Sequence, residues 1–222
     1  MVASAADQTH PADLVPAGAS LATARLAASG CRACELWERA TQTVFGEGPR
    51  NARLLLAGEQ PGDREDIEGH AFVGPAGRVL DEALEAAGID REKIFVTNVV
   101  KHFRWRPSGK RRLHERPTVA NVRACRPWIE LELELVRPDV VVALGATAAH
   151  VLIGPDVKLT ESRGILIDPV EPGGPRRLAT IHPSAILRLR SSEERAISRD
   201  QLAADLATAA EAAGMGRARR ST

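Results

Sequence analysis

From residue 53 to residue 182, short apolar blocks alternate with longer stretches whose apolar positions recur three and four residues apart. The blocks "RLLLAGE" (53–59), "IFVTNVV" (94–100), "DVVVALG" (139–145), "GILIDP" (164–169) and "RRLATIH" (176–182) predict strands. Most are near-continuous Val/Ile/Leu runs, the pattern of a parallel sheet covered on both faces. "GRVLDEALEAAG" (77–88) has helical spacing and ends on a glycine suited to a C-terminal cap. "TVANVRACRPWIELELELV" (118–136) predicts a helix that Pro127 should kink or split, and "PSAILRLR" and "SRDQLAADLATAAEAAG" predict two closing helices. Strand–helix alternation predicts an α/β fold, three layers α/β/α around a central parallel sheet. Ligands bind such sheets beyond the carboxyl ends of the strands. Four segments fall at those ends: "GEQPGD", "TNVVKH", "GATAAH" and "IHPSA".

The periodicity predicts one domain over residues 21–214. Residues 1–20, Ala/Ser/Pro-rich and aperiodic, are expected to form a mobile tail, and residues 215–222 a second one. With 44% hydrophobic residues in 222, the chain can bury a sizeable core. No apolar run approaches the roughly 18 residues of a membrane span, so no membrane association is expected. The first residues lack a charged-then-apolar leader, so a cytoplasmic location is expected. The pattern needs no partner chain, and a monomer is expected.

Charge changes the picture locally. The net charge is only +1, yet from Lys101 to Arg126 there are nine Lys/Arg and one acid, Glu115. "KHFRWRPSGKRRLHERP" (101–117) sets seven of those cations around His102 and His114, an electrostatic footprint suited to nucleic acid. Glycines and proline in "GEQPGDRED" (58–66) allow close backbone approach to a ligand, and Glu59, Asp63, Glu65 and Asp66 supply carboxylates. The same residues would also serve as an acidic loop capping a helix. In "HAFVGPAGR" (70–78), Phe72 is one of only four Phe, beside three Trp and no Tyr. A lone Phe is usually core, but among Gly74, Pro75 and Gly77 it can offer a base-stacking surface. Asn98, inside an apolar strand, needs partners. Its carboxamide fits N3–H and O4 of uracil, or, rotated by half a turn, cytosine. His182, where "IHPSA" ends a strand, can donate to a carbonyl or anion.

The odd set Cys31, Cys34 and Cys125 argues against a disulfide framework and toward a metal or redox site. "CRAC" plus one cysteine falls one ligand short of a four-cysteine site for zinc or iron–sulfur, and His102 is the best candidate for the fourth. Three unligated thiols are the alternative.

The stretches "CRAC", "GEQPGDRED", "FVGPAGR", "TNVVKH", "RACRPWIELELELVRPDVVVALGATA" and "TIHPSAILR", in this order over roughly residues 25–210, resemble the family 4 uracil-DNA glycosylases. The resemblance implies a 4Fe–4S cluster on Cys31, Cys34 and Cys125, with His102 where the family has a cysteine. The longer segment from His102 to Cys125, its "KRRLH", and Gln60 in "GEQPG" resemble the UdgX branch, whose members end covalently bound to the DNA they have deglycosylated. By that resemblance His114 is the nucleophile. Phe72, Asn98, Gln60 and Asp63 are expected to hold the base, and Glu59 and His182 to act in bond cleavage. Lys110, Arg111 and Arg112 are expected to hold phosphates of uracil-containing DNA, single strands preferred. A turnover glycosylase of family 4 and a non-catalytic sensor of uracil in DNA are the rival expectations. An iron–sulfur or zinc protein of unrelated role is a more distant one.

Overall fold

In a computed structural model, residues 11–15, 17–169 and 171–215 are described. Their strands are β1 Leu54–Gly58, β2 Phe95–Asn98, β3 Trp105–Ser108, β4 Arg111–His114, β5 Val140–Leu144, β6 Leu166–Ile167 and β7 Arg176–Thr180. Their helices are α1 Pro11–Leu14, α2 Leu21–Ser29, α3 Asp63–Glu68, α4 Pro75–Ala87, α5 Val119–Val136, α6 Ala146–Leu152, α7 Leu159–Ser162, α8 Pro183–Arg188 and α9 Ser192–Ala212. The central sheet runs in the order β2-β1-β5-β7-β6, with β1, β2, β5 and β7 mutually parallel. The short edge strand β6 pairs antiparallel with β7, so the expected parallel sheet carries one reversed edge.

Side-chain alternation explains the continuous apolar blocks. Leu54 and Leu56 of β1, with Val140, Val142 and Leu144 of β5, face one core, shared with α4, α8 and α9. Leu55 and Ala57, with Val141 and Ala143, face the other, shared with α2, α5 and α6. Both faces of the sheet are covered, giving three layers.

Three expectations change. Pro127 does not split α5, which runs unbroken over 18 residues. Cys125, Trp128, Ile129, Glu132 and Val136 are buried on both sides of the proline, so packing holds the two halves in line despite the missing N–H donor. The basic stretch, absent from the strands expected above, is a β3–β4 hairpin with Trp105 opposite His114 and Ser108 opposite Arg111. Its turn is carried by Gly109 at φ +58°. The tail expected over 1–20 is partly in view: residues 1–10 lie outside the described residues, Pro11–Leu14 are helical, and Leu14 packs on the second core. Of the C-terminal tail, residues 216–222 lie outside the described residues. No helix among the described residues is long and apolar enough to cross a membrane.

Candidate active site

The carboxyl ends of the parallel strands set the site. β1 delivers Gly58, Glu59 and Gln60, β2 delivers Asn98, β5 leads into Thr147, and β7 leads into His182. Gly58 is the floor. A methyl group there would lie 2.4 Å from Asn98 Oδ1, 2.8 Å from Phe72 Cζ and 3.3 Å from His182 Nε2, so three residues singled out in the sequence converge on one point. Phe72, held at φ +56°, lies 6.2 Å from the His182 ring at an interplanar angle of 30°. A cavity of about 370 Å³ opens above them, lined also by Gln60, Asp63, His114 and Leu187. The Asn98 amide is buried against it and has no side-chain partner among the described residues.

The hydrogen bonds of His182 fix its tautomer. Nδ1 accepts the backbone N–H of Ser184 at 3.1 Å, as the cap of α8, so the ring proton sits on Nε2, the nitrogen facing Gly58. Burial, with Arg188 and His114 nearby, lowers its pKa to about 4, leaving a neutral N–H donor.

Gln60 orients His114. The Gln60 Oε1 accepts Arg104 N–H at 3.0 Å, and its Nε2 donates to Arg104 O at 3.2 Å and Glu115 O at 2.9 Å. The amide is therefore fixed, and it presents Nε2, a donor, 2.9 Å from His114 Nε2. The two amide protons are shared among the Arg104 carbonyl, the Glu115 carbonyl and this contact, and no acceptor atom of Gln60 faces His114, so the neutral tautomer with its proton on Nδ1 and a lone pair on Nε2 fits the contact. Glu59 Oε1 lies 3.7 Å from that nitrogen. Burial lowers the His114 pKa below its ordinary 6.5, while Glu59 pulls it back up. The Thr147 hydroxyl donates to Glu59 Oε2 and accepts from Arg116 Nη2 at 3.0 Å.

Not every predicted residue is free for a ligand. Arg112, expected to hold phosphate, donates to Asp63 at 2.6 Å and to fully buried Asp66 at 2.6 Å, and sits 5.5 Å from the centroids of both Phe103 and Trp105. It clamps the hairpin onto α3 and leaves little for DNA. Asp63 is correspondingly ion-paired rather than bare. Glu65 accepts Gly74 N–H at 2.9 Å, so the acidic loop is partly architectural. Lys110 and Arg111 stay exposed at the hairpin turn.

Sequence reading missed the buried pair Lys101–Glu132. Lys101 Nζ donates at 2.7 Å to each of Glu132 Oε2, Thr97 Oγ1 and the backbone carbonyl of Asn98, and Glu132 also accepts Gly46 N–H at 2.8 Å. This network pins the end of β2 from beneath. Only a lysine in an otherwise apolar stretch hinted at it.

Among the described residues, no three His, Cys, Asp or Glu side chains converge as for a single metal ion. Polynuclear clusters ask for something else: ligands spaced around several metals, with deprotonated thiols and a bare imidazole nitrogen. Three thiols and an imidazole are donor types that such a cluster takes. Cys31, Cys34 and Cys125 are all free thiols; Cys31 acts electrostatically on Cys34, and both act on Cys125. Burial pushes the Cys125 thiol up to about 12, a cost that cationic metal removes. Lys101 N–H donates to Cys125 Sγ at 3.1 Å and Trp128 Nε1–H to Cys31 Sγ at 3.3 Å. His102 shares a cavity of about 450 Å³ with Cys31. The Thr43 hydroxyl gives its one proton to Ala28 O, so it must accept from His102 Nε2–H at 2.9 Å, leaving Nδ1 bare.

A family model described as the uracil DNA glycosylase superfamily matches residues 45–207. A type-4 uracil-DNA glycosylase of Thermotoga maritima is 42% identical over 168 residues, covering 75% of this chain and 83% of that protein. One from Archaeoglobus fulgidus is 36% identical over 162 residues, covering 71% and 78%.

Proposed function

This chain belongs to the uracil-DNA glycosylase superfamily. We propose that it excises uracil from DNA, as that membership supports, and, from the placement of His114 beside the cavity, that it captures the resulting sugar covalently on this residue. The observation that carries the reading is the triple convergence on Gly58: a ring to stack on, an amide to read a pyrimidine edge and a neutral imidazole N–H, all about one cavity.

The target nucleotide enters extrahelical or already unpaired. Phe72 stacks on the uracil, Asn98 pairs with its N3–H and O4, and Gln60 and Asp63 close the rim. His182 Nε2–H donates to O2 as the C1′–N1 bond breaks, stabilising charge that grows only toward the transition state. Uracil departs with the bonding pair, and an oxocarbenium-like sugar remains. The His114 Nε2 lone pair attacks C1′ and forms the new C–N bond. The imidazolium so formed lies beside the Glu59 carboxylate and then loses its Nδ1 proton to solvent. A well-placed group reaches an effective molarity of roughly 10⁵–10⁸ M, so positioning alone lets imidazole outcompete water. Lys110 and Arg111 hold the strand, and single strands spare the cost of unpairing.

Cys31, Cys34, His102 and Cys125 are the residues that would hold a 4Fe–4S cluster. It would tie the segment after α2 to the base of the hairpin and to α5, a structural role. Purified protein is expected to contain iron and acid-labile sulfide in equal amounts, both lost in Cys125→Ser; zinc in their place would contradict this.

The similarity to type-4 enzymes favours a second reading, turnover with water as the acceptor. Counting free uracil against protein separates the two. Capture predicts a plateau near one uracil per active chain with excess uracil oligonucleotide, and continuing release assigns a turnover enzyme.

A further inference from the structure

His114 and His182 stand in a wall between two cavities. On one side is the cavity of Phe72 and Asn98; on the other is a second, of about 390 Å³, lined by Glu59, Arg116, Gly145, Thr147, Ser184 and Arg188. Gln60, His114, His182 and Ser184 line both. The two differ in charge. The charged lining of the first is Asp63, Arg64 and Glu65, and its one cation is ion-paired with Glu68. The second presents two guanidinium groups against a single carboxylate. Arg116 is 65% exposed; its Nε lies 3.6 Å from Glu59 Oε2, Nε and Nη2 donate to Thr147 Oγ1, and Nη1 has no partner among the described residues and is left for a ligand. Arg188 is exposed and makes no ion pair or side-chain hydrogen bond among the described residues. It lines the same cavity as His114 and His182, and its charge acts on both.

We propose that the second cavity is the seat of the phosphodiester flanking the target nucleotide, held by Arg188 and Arg116. This rests on the glycosylase reading above. If the base fills the first cavity, the glycosidic bond crosses at His114 and His182, and sugar and phosphate must lie on the far side. Guanidinium N–H groups match phosphate oxygens in pairs. The hairpin cannot supply this contact through Arg112, which is committed to Asp63 and Asp66. Arg116 is tied through Thr147 to the carboxylate beside His114, so a seated phosphate also orders that chain.

The test is uracil release, under single-turnover conditions, from three oligonucleotides: the natural strand and two with a neutral methylphosphonate on the 5′ or the 3′ side of deoxyuridine. Wild-type protein is expected to lose roughly 10- to 100-fold in apparent second-order rate with one of the neutral linkages, the scale of a charge-assisted contact. Arg188→Ala is expected to lose a similar factor on the natural strand and to become indifferent to that linkage. Its melting temperature, measured alongside, reports folding, and Arg116→Ala repeats the comparison independently. Wild type indifferent to both linkages, or variants as sensitive as wild type, overturns the seat while leaving the glycosylase reading intact. No uracil release by wild type from the natural strand overturns both.

Discussion

His114→Ala is expected to lose the heat- and SDS-stable protein–DNA adduct completely while still releasing uracil. The two steps use different nitrogens. In the proposed mechanism bond breaking relies on His182 Nε2–H and the cavity around Gly58, and bond making on a lone pair of His114 Nε2, the nitrogen beside the Gln60 amide. Removing the imidazole leaves the Glu59 carboxylate facing the sugar cation and admits water to C1′. His114→Gly and His114→Ser are expected to turn over faster still, because the vacated volume suits a water. A denaturing gel for the adduct and a free-uracil count read the two steps separately. A persistent adduct in His114→Ala would sink the assignment. The pH dependence follows from the sign of the shift. The His114 pKa lies below 6.5, so Nε2 is already bare at pH 7 and adduct formation is expected to be level from pH 8 to 7. It should fall only in acid, as the ring protonates. A rate that climbs steeply between pH 6.5 and 8 contradicts a depressed pKa.

His182→Ala is expected to slow uracil release by about 10²–10³-fold, the loss seen when one pre-aimed donor to a developing oxyanion is removed. The donor is unusually well fixed: Ser184 N–H holds Nδ1, the ring stacks near Phe72, and burial keeps it neutral. Because the donor acts on charge that appears in the transition state, the loss should fall on the single-turnover rate and not on DNA affinity. Single-turnover release measured beside equilibrium binding checks both parts. Weakened binding with an unchanged rate would make His182 a binding residue only. The Ser184 contact and the neutral pKa also predict that release stays level down to about pH 5, well above the point where the ring gains a second proton.

Much of this was legible in the sequence for a physical reason. Strands buried on both faces read as continuous apolar blocks, and the polar residues that interrupt their carboxyl ends, Glu59, Gln60, Asn98 and His182, had no structural reason to be there. Their placement on one sheet edge follows from parallel topology. The β3–β4 hairpin was illegible because its strands, "WRPS" and "RRLH", carry no apolar alternation and one of them holds a proline. What fastens it is remote in sequence: Gln60 bonds Arg104 across 44 positions, and Arg112 bonds Asp66 across 46. The same distance hid the Lys101–Glu132 pair, which looks like a stray cation until α5 is laid beneath β2. Arg116 and Arg188 did not stand out among 30 Lys and Arg until the fold set them about one cavity. Arg112 shows the converse: its ion pairs with Asp63 and buried Asp66 could not be read from a basic stretch, where a cation reads as a phosphate ligand.

The most direct test is peptide-level mass spectrometry. The protein is incubated with a short single-stranded oligonucleotide carrying one uracil, and both polymers are then digested. The account predicts a deoxyribose-bearing remnant on the segment holding His114, with fragmentation placing it on the imidazole and free uracil released in equal amount. Unmodified protein beside uracil-free, alkali-labile DNA would contradict covalent capture and assign the chain to turnover chemistry. Unmodified protein with uracil still in the strand would contradict excision itself.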